Sequence, residues 1–501
     1  MQPERVGALI LGPVLACVAM VVQADTLGTA ISQQGGSKML VNAGDAIQAT
    51  CRSLVAAGGP ALTGRSQDLY FRCNEMVTTY GLGLPANPTA NTYGYASNSD
   101  RSNAVRQFSG EEASSQRRLE TQTNSLQFGG IGARMDAIRR GARTTGSAFA
   151  LNGDNGDLLG DGLPAIAQVG GGAGDESEAD TGWAWFGNVN SGYADHDRTP
   201  NEDAYDSDYY GGTLGVDYAF LNGLVVGMAL GYENYSADVK SSGAPTPASP
   251  TSPTTGGGVE GDSYAASAYA LFDADVYSIS TIISYGQADY DLDRRAYFLP
   301  GASPQGRPAA ADFEINRSYR ANTDSDQFGA EVTLTGSVIA DGPYLLDAYV
   351  KLDYLSMYID GYTEKERDNS ANPTPTPGLA LKYQGQDVDT IETGLGFTMR
   401  RSFNTGFGVV VPYIGGEWRY VWDGGSGVVK YAYAYGLPAL PGGNVNFATP
   451  TDNSDKGYGL APVGVSTQFA RNLSFYVQYE GLVGLNNTTG GMGTIGLRGR
   501  F

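Results

Sequence analysis

The chain of 501 residues contains a single histidine and three cysteines, and it has no uninterrupted apolar run long enough for a membrane helix. Each scarcity removes a class of function. With only His196 to draw on, a Ser-His-Asp or Cys-His triad, a two-histidine zinc site or a haem pocket has almost nothing to be built from. The first 150 residues hold no histidine and no Gly-x-Ser-x-Gly elbow, so no enzyme and no cofactor emerge from them. Basic residues are also few: 32 Lys and Arg against 53 Asp and Glu leave a net charge of −21. Nucleic acid needs a basic face to neutralise phosphate, so it is not an expected partner. Missing apolar runs exclude transmembrane helices but not a membrane barrel, whose strands are apolar only at alternate positions.

What the chain does contain is glycine, 71 residues and about twice the usual share, and tyrosine, which outnumbers phenylalanine 32 to 17. Both favour a β-rich fold. The N-terminus reads as an export signal: Arg5, the apolar stretch Val6 to Val22 broken by Pro13, then Val22-Gln23-Ala24 with small residues where a signal peptidase cuts. Cleavage is expected after Ala24. Cys17 lies inside that segment, and the bulky Leu15 two residues before it argues against lipidation. Cys51 and Cys73 then remain as an even pair in an exported chain, which predicts a disulfide.

Composition divides the remainder. Residues 25–108 mix helical patterns with Gly- and Asn-rich stretches and read as a small α-rich region. Asn42 is a candidate cap for a helix to about Ala57, and Ser66 for a second helix carrying Leu69, Tyr70, Cys73, Met76 and Val77. Ser109-Gly110-Glu111-Glu112 has capping-box spacing, which predicts a helix starting there and spanning 109–141, with a possible kink at Gly129-Gly130. Residues 142–180 are acidic, Gly-rich and without periodicity, and read as a linker. Asp154, Asp157 and Asp161 resemble a calcium cluster, but their spacing fits no EF-hand loop, and no metal is expected.

From 181 to 501 the period becomes two. In Leu224 to Tyr232 large apolar residues alternate with small ones, and in Leu473 to Glu480 they alternate with polar ones. Twelve strands are expected, starting near Thr181, Asp203, Leu224, Val259, Val276, Arg320, Tyr344, Leu379, Phe407, Lys456, Asn472 and Gly490. Tight turns such as Leu221-Asn222-Gly223 and Asp273-Ala274-Asp275 alternate with long polar loops around 196–201, 241–258, 300–312, 365–377 and 423–454. A soluble sandwich has no reason to sort loop length by parity, whereas an outer-membrane barrel has short turns at one end and long loops at the other. The expected fold is therefore all-β: a twelve-stranded antiparallel transmembrane β-barrel with a small N-terminal α-rich passenger and a pore helix. Alternation turns Leu224, Val226, Met228, Phe475 and Tyr479 toward lipid, and Glu331, Asp347, Asp353, Glu392 and Glu417 toward a wet lumen. The tyrosine excess is read as interfacial girdles. His196, in Asp195-His196-Asp197, is expected in a solvated loop.

Gly182-Trp183-Ala184-Trp185, Gly215-Val216-Asp217, Gly231-Tyr232 and a closing strand that ends in Phe501 resemble the translocator barrel of autotransporters, the type V secretion family, across 181–501. Gly129 to Arg140 resembles the helix that occupies the pore in that family. The resemblance implies an outer-membrane barrel that carries or displays its own passenger, with Phe501 as the signature read by the barrel-assembly machinery and outer-membrane lipid as the surroundings of a monomeric barrel. Arg134, Arg139 and Arg140 would face the lumen carboxylates. Some relatives release their passenger by asparagine cyclisation within this helix; Gly129-Gly130 supplies no asparagine there, so the chain is expected to stay whole. Two other functions fit the same barrel: a passive channel with a periplasmic N-terminal domain, and a structural protein that binds an envelope partner.

Overall fold

In the computed structural model, the period-two half of the chain forms strands that close on themselves, and the N-terminal region forms helices that sit across one end. The structure describes residues 26–80, 98–110, 131–132, 135, 182–240, 255–274, 276–298, 315–340, 343–367, 378–424, 427–437, 447–451, 455–470 and 473–500.

The strands in chain order are β1 (Gly182–His196), β2 (Tyr205–Ala219), β3 (Leu224–Lys240), β4 (Thr255–Asp273), β5 (Tyr277–Phe298), β6 (Ile315–Ile339), β7 (Leu345–Ile359), β8 (Lys365–Glu366), β9 (Leu381–Tyr383), β10 (Gln386–Arg400), β11 (Phe403–Thr405), β12 (Gly408–Gly424), β13 (Val428–Tyr433), β14 (Phe447–Pro450), β15 (Gly457–Ala470), β16 (Leu473–Val483) and β17 (Thr488–Arg500). All but the short β8, β9, β11, β13 and β14 build the barrel, twelve strands in sequence order. It closes where β1 pairs antiparallel with β17, from Ala184 opposite Arg500 to His196 opposite Thr488. Closure leaves no unpaired edge inside the bilayer, where an exposed backbone polar group costs several kcal/mol. One chain supplies the whole wall.

Alternation sets the facing. On β3, Val225 and Ala229 are buried inward while Met228 and Leu230 are each 68% exposed outward. The outward apolar run Val226, Met228, Leu230 ends at Tyr232, whose hydroxyl donates to Asp262 at 2.6 Å. Beyond it the outward residues are Ser236, Asp238 and Lys240. A band from Leu224 to Tyr232 fits the roughly nine to eleven residues that a tilted strand needs to cross hydrocarbon. Phe475 is half-buried and Tyr479 is exposed, both on the outward side of β16.

Tyrosines divide between the two faces: Tyr210, Tyr232, Tyr264 and Tyr285 are among those exposed on the outside, and others lie inside the barrel. Tyr269 and Tyr235 are buried, and a Cβ at Gly227 or Gly261 would lie 2.2 Å from their respective rings. Each ring lies over a cross-strand glycine, so the two residue types that stand out in composition are partners in one wall.

The eighth barrel strand, β10, begins at Gln386 rather than near Leu379. Leu381–Tyr383 belongs instead to a separate three-stranded sheet, β14-β13-β9, built from two long loops. Turns of 220–223 and 274–276 mark one barrel end, and loops such as 241–254 and 299–314 mark the other. The last connection on the long-loop end, 484–487, is short, so loop length does not follow parity throughout. Wall height is uneven as well: β5 and β6 run 22 and 25 residues, β16 only 11.

Among the described residues, the α-helices that precede the pore residues Ile131 and Met135 and the barrel are α1 (Leu27–Gln33), α2 (Lys38–Ala56), α3 (Gly64–Thr79) and α4 (Asn98–Phe108). Among the described residues, no helix is long and apolar enough to cross a membrane. Ser37, not Asn42, caps α2, accepting the Leu40 amide at 3.3 Å. Asn42 lies mid-helix, and its amide donates to the Ala448 carbonyl at 2.9 Å. Ser66 sits in the first turn of α3 and donates to the Tyr435 carbonyl at 3.0 Å. Met39, Leu40, Ala43, Ile47 and Leu54 recur at helical spacing and form the buried face of α2. α1 crosses close to that face, since a Cβ at Gly44 would fall 2.6 Å from the Ile31 side chain. Cys51 and Cys73 form a disulfide that joins α2 to α3. Ser109 closes α4, its amide donating to the Val105 carbonyl and its hydroxyl to the Arg106 carbonyl at 3.0 Å; the helix expected to start there runs into residues 111–130, outside the described residues. Residues 142–180 lie outside the described residues.

Candidate functional site

The lumen is the concave surface of this molecule, and three sets of residues define it. Midway along the wall, β6, β7, β10, β12 and β15 point a cluster of charge inward. Arg419 lies at its centre, its guanidinium 2.6 Å from Glu417, 3.4 Å from Glu392 and 3.8 Å from Asp353. Lys351 reaches Glu331 at 3.4 Å. Tyr349 donates to Glu417 at 2.8 Å and Tyr458 to Glu392 at 3.0 Å. Nearer the short-turn end, Arg400 pairs with Asp347. Register brings the members together: Asp353 stands opposite both Glu331 and Glu392, and Arg419 opposite Gly394.

The five carboxylates Glu331, Asp347, Asp353, Glu392 and Glu417 thus find cations on the wall itself. The helix residues Arg134, Arg139 and Arg140, expected from the sequence to face these carboxylates, lie outside the described residues. The wall cations were readable, since Arg419 and Lys351 share alternation parity with Glu417 and Asp353. Within the cluster four carboxylates meet two cations, so an acidic excess faces the lumen. Glu233, buried on the inward face of β3, adds to it.

Below the charges is an apolar seat. Ile131 and Met135, 0% and 3% exposed, pack among Phe186, Val225, Ala229, Tyr269, Leu271 and Ile282. Val225 follows the 220–223 turn and Leu271 precedes the 274–276 turn, which puts this contact near the short-turn end.

The third set lies at the opposite mouth. One continuous core runs from the helices (Leu27, Ile47, Met76, Phe108) into Tyr319, Leu381, Tyr431 and Phe447 of the strands and long loops. Tyr319 and Ala321 lie on the inward face of β6, so the helices settle into the flared mouth. Arg294 of β5 ties the junction. It makes a two-pronged pair with Glu364 at 2.8 and 2.7 Å, donates to the carbonyls of Leu379 at 2.9 Å and Gln107 at 3.4 Å, and stacks on Tyr319 at 4.6 Å. Both partners are about 5% exposed or less. On α3, Asp68 accepts the Gly378 amide at 3.0 Å. Burial pushes its carboxyl above the ordinary value, opposed by Arg72 and by that amide.

His196 is not a solvated loop residue. It ends β1, is 3% exposed, stacks on Tyr205, and holds Thr488 at 2.9 Å and Glu202 at 3.5 Å. The following loop reaches α4, where Arg106 and Arg198 share Asp203 at 3.6 and 3.0 Å. Phe501 lies outside the described residues.

A closed, single-chain antiparallel barrel with an apolar outer band and a charged lumen defines an outer-membrane β-barrel. Residues 185–480 match the family described as the autotransporter beta-domain, and the chain belongs to that family. It is an outer-membrane autotransporter barrel. Among solved structures, it is similar to the translocator domain of autotransporter NalP from Neisseria meningitidis, at 13% identity, with 77% of this chain and 99% of that chain covered and a TM-score of 0.46. It is also similar to the beta domain of the Bordetella autotransporter BrkA, at 14% identity, covering 64% and 100%, TM-score 0.41. The transport unit of AIDA-I from Escherichia coli gives 12% identity, 74% and 98% coverage and a TM-score of 0.37. No curated protein matches the chain.

Proposed function

We propose that this autotransporter carries its own short passenger, residues 25–108, through the barrel and keeps it at the cell surface as part of one uncleaved chain. The observation that carries the reading is the direction of the chain. Gly110, two residues past the end of α4, lies at the long-loop mouth beside Tyr383 and Leu381, while Ile131 sits near the short-turn end. Residues 111–130 must connect these two ends, and as a helix they would reach about 30 Å, the thickness of the hydrocarbon core. In outer-membrane barrels the long loops face outward and the short turns face the periplasm, so the helices stand outside. Residues 1–24 then serve as the export signal, 109–141 as the pore segment and 142–180 as the return linker to β1.

Within this reading Arg134, Arg139 and Arg140 offset the acidic excess of the lumen, Phe501 is the mark read by the barrel-assembly machinery, and the chain performs no catalysis. A passive channel is disfavoured, because chain segments occupy both ends of the lumen. An epitope tag beside Tyr93, combined with protease treatment of intact cells, tests the proposal. Loss of the tag without lysis is the expected result; a tag protected on cells whose outer loops are cut would sink it.

A further inference from the structure

The helical region is more than cargo parked on a barrel. The sheet β14-β13-β9 has only four, six and three residues in its strands, too few to stand alone without a partner layer. Leu381, Tyr383, Val429, Tyr431, Tyr433 and Phe447 turn one face of it into the helical core, all nearly inaccessible to solvent. Tyr431 stacks on Phe447 with ring centroids 4.8 Å apart, and the Tyr433 hydroxyl donates to the Phe108 carbonyl at 3.1 Å. The helices depend on the loops in the same way, because removing the sheet would expose α2 along Asn42 and α3 along Ser66.

The contacts also go round the ring. Helix residues touch the β1–β2 loop through Arg106 and Asp203 and the tops of β5 and β6 through Phe108, Arg294 and Tyr319. They touch the β7–β10 connection through Asp68 and Gly378, and the β12–β15 connection through Asn42 and Ala448. A body that meets the first, fifth, seventh and ninth strands of a twelve-stranded ring must span its opening.

We propose that helices α1–α4 and the loop sheet form one composite outer domain, assembled only when both halves meet at the mouth, and that this domain is a lid closing the pore from outside. The inference rests on the surface reading given above, but it makes a separate claim: the outer closure, and not the inner seat of Ile131 and Met135, is the tighter constriction that limits conductance, and it is held by loop residues such as Gly378, Tyr433, Tyr435 and Ala448, 310 to 406 positions away in sequence from the helix residues they meet.

The test uses the full chain carrying Tyr431→Ala with Phe447→Ala, reconstituted in planar bilayers in potassium chloride, with Tyr433→Phe as a milder variant that removes only the bond to Phe108. The double variant is expected to keep the heat-modifiable migration of a folded barrel, to make the helices protease-sensitive, and to raise conductance several-fold above the nearly closed wild type. Tyr433→Phe should give the same open level visited more rarely. Helices that stay protease-resistant in the double variant would overturn the composite core. Loosened helices with unchanged conductance would overturn the lid and assign closure to the inner seat of Ile131 and Met135 alone. Surface display is read separately by the tag: a protected tag defeats that reading, while the conductance still decides whether the long-loop mouth is closed by this domain.

Discussion

Replacing Arg294 by Met offers the sharpest perturbation of the outer junction. The side chain lies almost wholly out of water, gives two hydrogen bonds to Glu364, and supplies the carbonyls of Leu379 and Gln107. Methionine keeps much of the stem that packs on Tyr319 but leaves the Glu364 carboxylate buried with little beyond the Leu381 amide, 2.8 Å away. Breaking a buried pair from one side costs about 3–5 kcal/mol, or roughly a hundred- to several-thousand-fold in the population of the undocked state. Proteolysis of the helices follows that population when reclosing is fast. Protease cleavage of intact cells, with barrel migration as the folding control, should therefore accelerate by a factor in that range. Glu364→Gln should do less, because Gln still accepts one hydrogen bond. Arg294→Met with Glu364→Met should recover most of the loss, since no charge is left uncompensated. If the double variant were as loose as Arg294→Met, or if Arg294→Met behaved like wild type, the pair would not be what holds the junction.

Further outcomes can be checked one by one. Met228→Arg, at the centre of the outward band on β3, should cost about 2–4 kcal/mol and lower the temperature at which the barrel loses its folded migration; a neutral result would reverse the assigned facing. Arg419→Met should destabilise the barrel through the carboxylates of Glu417, Glu392 and Asp353 that it leaves together, with partial recovery on adding Glu417→Gln. Asp68 has a folded-state pKa above its unfolded one, so its ionised form costs stability above the folded pKa, and that cost is relieved as pH falls through it. Docking of α3 should tighten on mild acidification, measured by hydrogen exchange corrected for intrinsic rates, and Asp68→Asn should flatten the response. The mature chain should run as one species; a barrel fragment whose N-terminus maps between 127 and 134 would reveal a cleavage absent from our reasoning.

The barrel was legible because its signal is repetitive. Period-two patterning, in Leu224 to Tyr232 as in other barrel strands, reflects a physical contrast between large apolar residues toward lipid and small or polar ones toward the lumen. Where the pattern misled, it served another partner. Leu379 to Tyr383 alternates like a membrane strand, yet its apolar side meets helices and not lipid, and nothing local distinguishes the two. Asn42 and Ser66 are good capping residues that found backbone acceptors in loops hundreds of positions away, a choice only tertiary structure makes. His196 looked exposed between two aspartates because charge neighbours say nothing about burial when alternate side chains face opposite sides of a wall. Wall partners of the lumen carboxylates were visible by parity at Arg419 and Lys351, which share the inward face with Glu417 and Asp353.

The uneven wall gives the molecule a front and a back. At about 3.3 Å per residue, β5 and β6 are roughly twice as long as β16, so one side of the collar rises well clear of the lipid while the side around β16 and the short 484–487 connection barely does. Arg294, Tyr319 and Ala296 fasten the helices to the high side. On the lid proposed above, loosening is expected to begin where the rim is low, so that the mouth would open sideways like a hinged hatch. Whatever entered or left would then pass over β15 to β17, at the level of the outer lipid headgroups.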